Sequence, residues 1–172
     1  MTTLRPLTEA DLADIAHIHV RIWQETYRGQ MDQSYLDSLD PAAGLARWQE
    51  GYHKNKNNPD YGTLIARIDG DAVGFISYGP SRGDNAPSPF EIYAINILQA
   101  HTGQGLGYEM FQTVADILRH KGCTATYLWV LSTNENASRA YVRWGGKIRK
   151  DITKDLVIGP HTYTEYMVTF DL

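Results

Sequence analysis

The sequence predicts a mixed α/β fold of the α+β type, in which a mostly antiparallel central sheet is flanked by helices. Three observations lead to this prediction. The apolar period changes from helical in residues 8–52 to strand-like in residues 63–98. Hairpin signals stand on both sides of a central strand-helix-strand-helix unit. A loop with alternating glycines, residues 102–107, joins the central strand to the helix after it.

Length and composition fit one domain that spans residues 1–172. The formal charge of -4 argues against nucleic-acid binding, because phosphate-binding domains usually carry a basic stripe. Cys123 is the only cysteine, so no internal disulfide can form. The N-terminus lacks the apolar stretch of a signal peptide, and no apolar run approaches the roughly 20 residues of a membrane span. We therefore expect a cytoplasmic protein with neither a membrane nor a nucleic acid as partner.

The N-terminal part reads as one strand followed by three helices. Thr8, with Asp11 three residues later, gives an N-cap signal, and apolar residues spaced by three and four continue to about Tyr27. Asp40-Pro41 opens the third helix. The predicted elements are a strand at residues 4–7, the helix from Thr8 to Tyr27, helices at residues 33–39 and 42–52, and a loop at residues 53–60.

The remainder alternates strands with two helices. Asp69-Gly70-Asp71 is a hairpin signal, and Gly, Pro, Ser and Asn fill a surface connection at residues 79–89. Gly145-Gly146 ends the second helix. The predicted strands are residues 63–68, 72–78, 90–98, 125–131, 147–156 and 162–171, with helices from the glycine loop to about Lys121 and at residues 134–144.

The glycine loop has the arrangement of a phosphate-binding site. Gly103, Gly105 and Gly107 allow a tight turn whose N–H groups point towards an anion at the positive end of the helix dipole. The spacing is not the G-x-G-x-x-G of a dinucleotide fold, and Gly107-Tyr108-Glu109 lacks the Gly-Lys-Ser/Thr ending of a P-loop. A nucleotide-binding enzyme remains an alternative, and so does a plain flexible turn.

The surrounding segments make the loop more specific. Residues 91–98 followed by the loop resemble the cofactor-binding motif of the GNAT acetyltransferase superfamily, a strand that ends in Arg/Gln-x-x-Gly-x-Gly/Ala. A second family feature follows in register: Leu128-Trp129-Val130, Asn134, Ala137, Tyr141 and Gly145. The resemblance covers essentially the whole chain. It implies a GNAT-like fold in which strands 90–98 and 125–131 form a parallel pair that splays apart at the cofactor site.

The resemblance also implies acetyl-CoA as the cofactor and gives roles to individual residues. Backbone groups of Ile95 and Ile97 would pair with the pantetheine arm as an added strand does. Asn134 would bond the same arm, and Tyr141 would donate a proton to the departing thiolate. The pyrophosphate would be held by Thr102, Gly103, Gln104, Gly105, Leu106, Gly107 and Tyr108. Thr102 stands where the family usually has Arg or Gln, so a long donor side chain is missing.

An ammonium acceptor must lose a proton before it attacks a thioester, and Glu91 is the candidate base, directly or through water. Simple alternation places Glu91, Tyr93, Ile95 and Ile97 on one face of their strand. The candidate residues for acceptor binding are Trp23, Tyr27 and Tyr93.

Each role also has a structural alternative. Glu91 could lie in solvent at a strand end. Tyr141 could be a core tyrosine. Asn134 could merely help to start its helix beside a capping box of Ser132 and Glu135. His17 and His19 cannot share a helical face, so no metal site is predicted, although His19 extends the apolar stripe towards the interior.

The sequence therefore predicts an acetyl-CoA-dependent N-acetyltransferase, an acyltransferase that transfers acetyl directly to a primary amine of a small molecule or peptide. A non-catalytic acyl-CoA-binding module is the alternative. Net acidity and several tyrosines hint at a cationic small amine as acceptor. Many members of the superfamily that the chain resembles form dimers, so a homodimer is one expected assembly.

Overall fold

The computed structural model describes residues 1–83 and 86–172. Its seven named strands form one sheet, and its five α-helices pack on the two faces of that sheet. The strands are β1 (Thr2–Pro6), β2 (Gly62–Ile68), β3 (Asp71–Pro80), β4 (Phe90–Ile97), β5 (Ala125–Leu131), β6 (Lys147–Ile158) and β7 (His161–Asp171). The helices are α1 (Leu12–Thr26), α2 (Gln33–Ser38), α3 (Pro41–Asn55), α4 (Leu106–His120) and α5 (Glu135–Arg143).

The sheet has the order β1-β2-β3-β4-β5-β7-β6. Each neighbouring pair is antiparallel except β4 and β5, which run parallel. The predicted fold class is therefore confirmed. A helical crossover through α4 is what allows β4 and β5 to run in the same direction.

The predicted elements agree with the structure except near their ends. Helix α3 continues to Asn55, so the predicted loop at residues 53–60 begins too early. His53 and Lys54 occupy the last turn of α3, where positive or polar side chains suit the negative end of the helix dipole. Residues 84 and 85 of the predicted surface connection lie outside the described residues.

Helices α1 and α4 cover opposite faces of the sheet. Phe75 and Ile76 are consecutive in β3, so their side chains point to opposite faces. Phe75 packs on His19 of α1, with ring centroids 5.2 Å apart. Ile97 lies on the face of Ile76 and touches α4, because a Cβ added at Gly107 would be 3.1 Å from its Cδ1. We call these the α1 face and the α4 face.

The start of α1 is tied to the sheet by a buried carboxylate. Asp11 is 2% exposed and accepts hydrogen bonds from Arg5 of β1 at 2.7 and 2.8 Å and from Arg67 of β2 at 2.8 Å. Thr8 adds backbone and hydroxyl bonds to the same group. The Arg5 guanidinium, the largest cause, holds the pKa of Asp11 well below its usual range, with Thr8 and Arg67 assisting against burial.

None of the helices in residues 1–83 and 86–172 is long and apolar enough to cross a lipid bilayer.

We expect Asp11→Asn to lower the free energy of unfolding by about 3 kcal/mol, because both arginines lose a buried partner. The folded-state pKa of Asp11 is depressed, so this stabilisation is present above about pH 4 and is lost as the pH falls further. Urea unfolding at pH 7 measures the change. Glu9→Gln, at an exposed residue of the same turn, is the control and should lose under about 0.5 kcal/mol. Equal losses in the two variants would contradict the prediction.

Candidate active site

A gap between β4 and β5 is the central feature of the site. The two strands pair only at Glu91 with Tyr127 and at Ile92 with Leu128. Beyond that point β4 continues beside β3, and β5 continues beside β7. The two strands therefore separate towards their carboxyl ends, and a cleft opens in the middle of the sheet.

The edge of β4 that faces the gap carries free backbone groups. The N–H of Leu98 donates to the carbonyl of Val73 at 2.9 Å, which fixes which residues bond to β3. In an antiparallel ladder alternate residues point to alternate sides, so Asn96 bonds to β3 while Ile95 and Ile97 point towards β5. No strand pairs with them there in the described sheet. Their N–H and C=O groups can therefore bind an extended ligand.

A β-bulge lies where the gap begins. Ser77 pairs with Ala94 and Tyr78 pairs with Ile92, so Tyr93 is an extra residue in β4. Such a bulge interrupts the alternation of side chains along the strand and bends it.

Glu91 lies on the α1 face. Its carboxylate accepts a bond from the Tyr127 hydroxyl at 3.3 Å. Tyr127 follows Thr126 in β5, and the antiparallel partner of Thr126 is Phe170. Phe170 packs on Phe111 of α4 with centroids 4.5 Å apart, so Tyr127 and Glu91 point the other way.

The predicted single face for Glu91, Tyr93, Ile95 and Ile97 is therefore wrong. The side chains of Ile95 and Ile97 are on the α4 face, opposite to that of Glu91. The bulge at Tyr93 is the physical reason, because one inserted residue reverses the alternation after it.

The glycine loop presents a row of unpartnered amides. Gly103 and Gly105 have φ of 75° and 88°, a region that glycine adopts without strain, and Gly105 is the N-cap of α4. No acceptor within the described residues takes the N–H groups of residues 103–108. Leu106, Gly107 and Tyr108 form the first helical turn, whose amides have no partner inside the helix. The loop can therefore bind an anion at the positive end of α4.

Gly107 is needed for packing rather than for a positive φ. A Cβ at this position would lie 3.1 Å from Ile97 Cδ1 and 3.1 Å from the Trp144 ring. The absence of a side chain brings α4 close to β4 and to the end of α5.

Two side chains of the loop are engaged within it. The Thr102 hydroxyl donates to the carbonyl of Gln99 at 2.8 Å, and the Gln104 amide donates to the carbonyl of Ala100 at 3.1 Å. Both bonds hold the turn in shape. Anion binding at this loop therefore depends on its backbone amides.

Asn134 has two uses. Its side-chain oxygen accepts a bond from the N–H of Ala137 at 3.2 Å, which makes it the N-cap of α5. The predicted capping box of Ser132 and Glu135 does not form, because Glu135 is already the first residue of the helix. Within the described residues the Asn134 side-chain N–H2 donates to nothing, so it is available to a ligand.

Tyr141 is buried on α5, with its ring against Trp144 at 5.3 Å and Phe170 at 6.4 Å. Burial raises the pKa of its hydroxyl, and Tyr27 adds to the effect. Burial, followed by Glu165, also raises the pKa of Tyr27 to about 12. Both phenols therefore keep their protons at neutral pH.

Glu91 is 1% exposed, so a solvent-exposed strand end is excluded. Both of its oxygens are occupied. Arg82 forms a salt bridge to one oxygen and donates to the other at 3.2 Å from Nε and from its backbone N–H. Tyr127 bonds that second oxygen as well. Four donors therefore engage the carboxylate, three of them on one oxygen, and the other oxygen accepts from Arg82 alone.

Arg82 also holds the bulge. Its guanidinium lies 4.1 Å from the centroid of the Tyr93 ring, and the Tyr93 hydroxyl donates to the carbonyl of Pro80 at 2.6 Å. The connection between β3 and β4 is thus fixed to the start of the gap by Glu91 and Tyr93. Sequence reasoning missed Arg82 and Tyr127, and only the register of the hairpin and of the parallel pair could have indicated them.

Two cavities adjoin α1 and α3, the smaller between α1, α2 and α3 and the larger between α3 and the sheet. The smaller, of about 420 Å³, contains Trp23 in its wall, and the larger, of about 600 Å³, contains Tyr93 and Ala94. His19 and Trp48 line both cavities. Two of the predicted acceptor residues, Trp23 and Tyr93, therefore border open space.

Tyr27, the third predicted acceptor residue, lines neither cavity. It packs on Trp23 with ring centroids 5.1 Å apart and lies close enough to Tyr141 to affect its pKa. No group of three possible metal-ligating side chains occurs in the part of the chain that the structure describes.

Comparison with known proteins agrees with this geometry. The model of the acetyltransferase (GNAT) family matches residues 13–145. The chain belongs to the GNAT family. An uncharacterized N-acetyltransferase, YuaI, of Bacillus subtilis is 31% identical over 78% of this chain and 74% of its own length. An uncharacterized N-acetyltransferase of Archaeoglobus fulgidus is 27% identical over 80% of this chain and 88% of its own.

Solved structures described as acetyltransferases share the fold. The PaiA N-acetyltransferase of Thermoplasma acidophilum, crystallised with coenzyme A, superposes with a TM-score of 0.80 at 18% identity, over 100% of this chain and 99% of that one. The putative acetyltransferase yncA of Salmonella typhimurium, crystallised with acetyl-CoA, gives 0.68 at 19% identity, over 99% and 93%.

We expect Gly105→Ala to weaken binding of acetyl-CoA about tenfold, because a side chain at φ of 88° costs about 1–2 kcal/mol and turns the loop amides away. Isothermal titration calorimetry measures the affinity. Gly122→Ala is the matched control: its φ is 83°, a Cβ there is equally unobstructed, and it lies at the far end of α4. Equal affinity in the two variants would rule out the loop as the anion site.

Proposed function

We propose that the chain is an N-acetyltransferase that transfers the acetyl group of acetyl-CoA directly to a primary amine of a small molecule or peptide. One observation carries the proposal: the free edge of β4 at Ile95 and Ile97 leads straight to the unpartnered amides of the glycine loop. An extended amide-containing arm that ends in a pyrophosphate matches both features. A cytoplasmic location and a homodimer remain predictions.

The residues present fit this cofactor. Ile95 and Ile97 would bind the pantetheine amides, the Asn134 side-chain N–H2 would bond the same arm, and the amides of residues 103–108 would hold the pyrophosphate. Acetyl-CoA would supply the thioester from which the acetyl group passes to the amine nitrogen, and its thiolate would be the leaving group.

Tyr141 is suited to the role of general acid. Its hydroxyl is protonated at neutral pH, as a phenol with a reference pKa near 10 is, and burial raises that pKa further, so a proton is available to a thiolate as it leaves. The hydroxyl has no hydrogen-bond partner in the described chain, so no structural bond would have to break. Cys123 lies buried at the opposite end of β5 from the gap, so a covalent acyl-enzyme on this thiol is not part of the mechanism.

Glu91 enters the proposal as a positioning residue. Its two oxygens hold Arg82 and Tyr127, and through Arg82 they hold the bulged Tyr93 at the start of the gap. The sequence suggested a base, directly or through water. Because Arg82 and Tyr127 already donate four hydrogen bonds to its two oxygens, we assign the amine proton to solvent water, and the carboxylate maintains the shape of the strand that receives the substrates.

We expect Tyr141→Phe to lower kcat about a hundredfold with little change in KM for acetyl-CoA, because it removes one proton donor and no packing. Release of free thiol from acetyl-CoA with an amine panel measures the rate. Calorimetry in parallel reports cofactor binding. Tight acetyl-CoA binding by the unchanged protein, with no thiol release across a broad amine panel, would favour the non-catalytic binding module instead.

We expect Glu91→Gln and Arg82→Gln to lower kcat by similar factors, about tenfold to a hundredfold, because each loosens the same bulge. The kcat of the double variant should be no lower than that of the less active single variant. The pH profile of kcat/KM distinguishes the roles. If Glu91 only positions other groups, the acidic limb of this profile should remain in Glu91→Gln. Loss of that limb in Glu91→Gln alone would show that Glu91 is the base.

A further inference from the structure

The larger cavity reaches the start of the gap and is lined mainly from the α1 face, with Ile117 of α4 also in its wall. Its wall includes Tyr93, the bulged residue of β4, and Ala94 after it. The same wall includes Ser77 and Phe75 of β3, and also His19 and Trp48, which line the smaller cavity as well. The two cavities therefore adjoin each other at these two residues, and we call the pair the acceptor route.

Aromatic rings dominate the walls of this route. His19, Trp48 and Phe75 form a mutual edge-to-face cluster, with centroids 5.2, 5.3 and 5.8 Å apart. Trp23 packs on His19 in the same way at 5.8 Å. Further rings of the two walls belong to Tyr35, Tyr52, Tyr61, Tyr78 and Tyr93. Edge-to-face packing of this kind favours an aromatic guest, and each such contact adds about 0.5–1.5 kcal/mol.

The charges of the walls are of one sign. No aspartate or glutamate is among the described residues that line either cavity. The cationic side chains are Arg47 in the smaller wall and Lys56 in the larger. Neither of the two forms a salt bridge within the described residues. Glu91 lies behind Tyr93, but Arg82 already balances its charge.

His19 does not add a negative or a positive charge. The Trp48 indole N–H donates to its Nδ1 at 3.3 Å, so the ring is neutral with its proton on Nε2. Burial, followed by the charge of Arg47, lowers the pKa of His19 to about 4. At neutral pH the junction of the two cavities is therefore an uncharged aromatic surface beside one arginine.

From these walls we infer that the acceptor is a monoamine that carries an aromatic ring and no second cationic centre. The inference rests on the proposed N-acetyltransferase activity and names its substrate class. A second ammonium group would enter a space with no described carboxylate to balance it and with Arg47 and Lys56 repelling it. The overall negative charge of the protein, which hinted at a cationic amine, thus comes from residues outside these walls.

Thiol release at saturating acetyl-CoA, with tyramine and phenethylamine against putrescine and spermidine, tests the inference. We expect kcat/KM to be about tenfold to a hundredfold higher for the aromatic amines. Calorimetry with tyramine in the presence of coenzyme A gives a second readout that does not depend on turnover. Higher kcat/KM for spermidine, or no tyramine binding, would overturn the inference. Failure of the proposed activity is recognised separately, either as absence of acetyl-CoA binding or as acetyl-CoA binding with no thiol release for any amine of a broad panel.

A charge reversal gives a sharper form of the test. Arg47 is exposed, so Arg47→Glu should fold, and it places a carboxylate in the smaller wall. We expect the ratio of kcat/KM for spermidine over tyramine to rise about five- to tenfold. Lys54→Glu makes the same charge change on α3 at an exposed residue outside both cavities, and the ratio should stay unchanged. An equal rise in both variants would mean that only the net charge of the protein matters.

Discussion

The separation of β4 from β5 after two residue pairs is the constraint on which the rest of the structure depends. A continuous sheet would pair every backbone group of both strands and leave no room for a ligand. Here the pairing ends at Ile92 and Leu128, and the strands are kept apart because each has another partner, β3 on one side and β7 on the other. The energetic cost of the open edge is met when an extended molecule pairs with it.

Several distant features serve this separation. The bulge at Tyr93 bends β4 where the pairing stops, and Arg82 fixes that bend through Glu91. Gly107 lets α4 approach β4 closely, so the loop amides lie at the end of the free edge. The site is therefore made largely of backbone groups, and the side chains around it mainly keep those groups in place.

Much of this could be predicted from the sequence. Periodicity and turn chemistry identified nearly all helices and strands, since residues such as Gly105 and Asn134 act through local geometry that the chain itself displays. The face of the sheet to which each β4 side chain points could not be predicted. The bulge at Tyr93 that decides it arises from pairing with Ser77 and Tyr78, which are distant in sequence. Arg82 was missed for the same reason: its contact with Glu91 exists only once the hairpin register is set.

The cavities on the acceptor side were even less predictable from the sequence, because their walls are formed by residues distant in the chain. Overall charge is a sum over the whole surface, whereas a cavity samples only the few residues that fold around it. His19 and Trp48 meet across 29 positions of chain, and their neutral hydrogen bond cannot be read from composition. Global acidity and local aromatic character therefore coexist in one protein without contradiction.

The amide of Asn134 restricts which residues this position can tolerate. Aspartate would keep the cap on α5 but has no donor, and serine would have to accept and donate through one hydroxyl oxygen close to the backbone. Glutamine would keep a donor but would place its oxygen too far out to cap. A short carboxamide provides an acceptor towards Ala137 and, on a separate atom, a donor for a ligand. The helix start and the ligand contact are thus encoded by one side chain and must vary together.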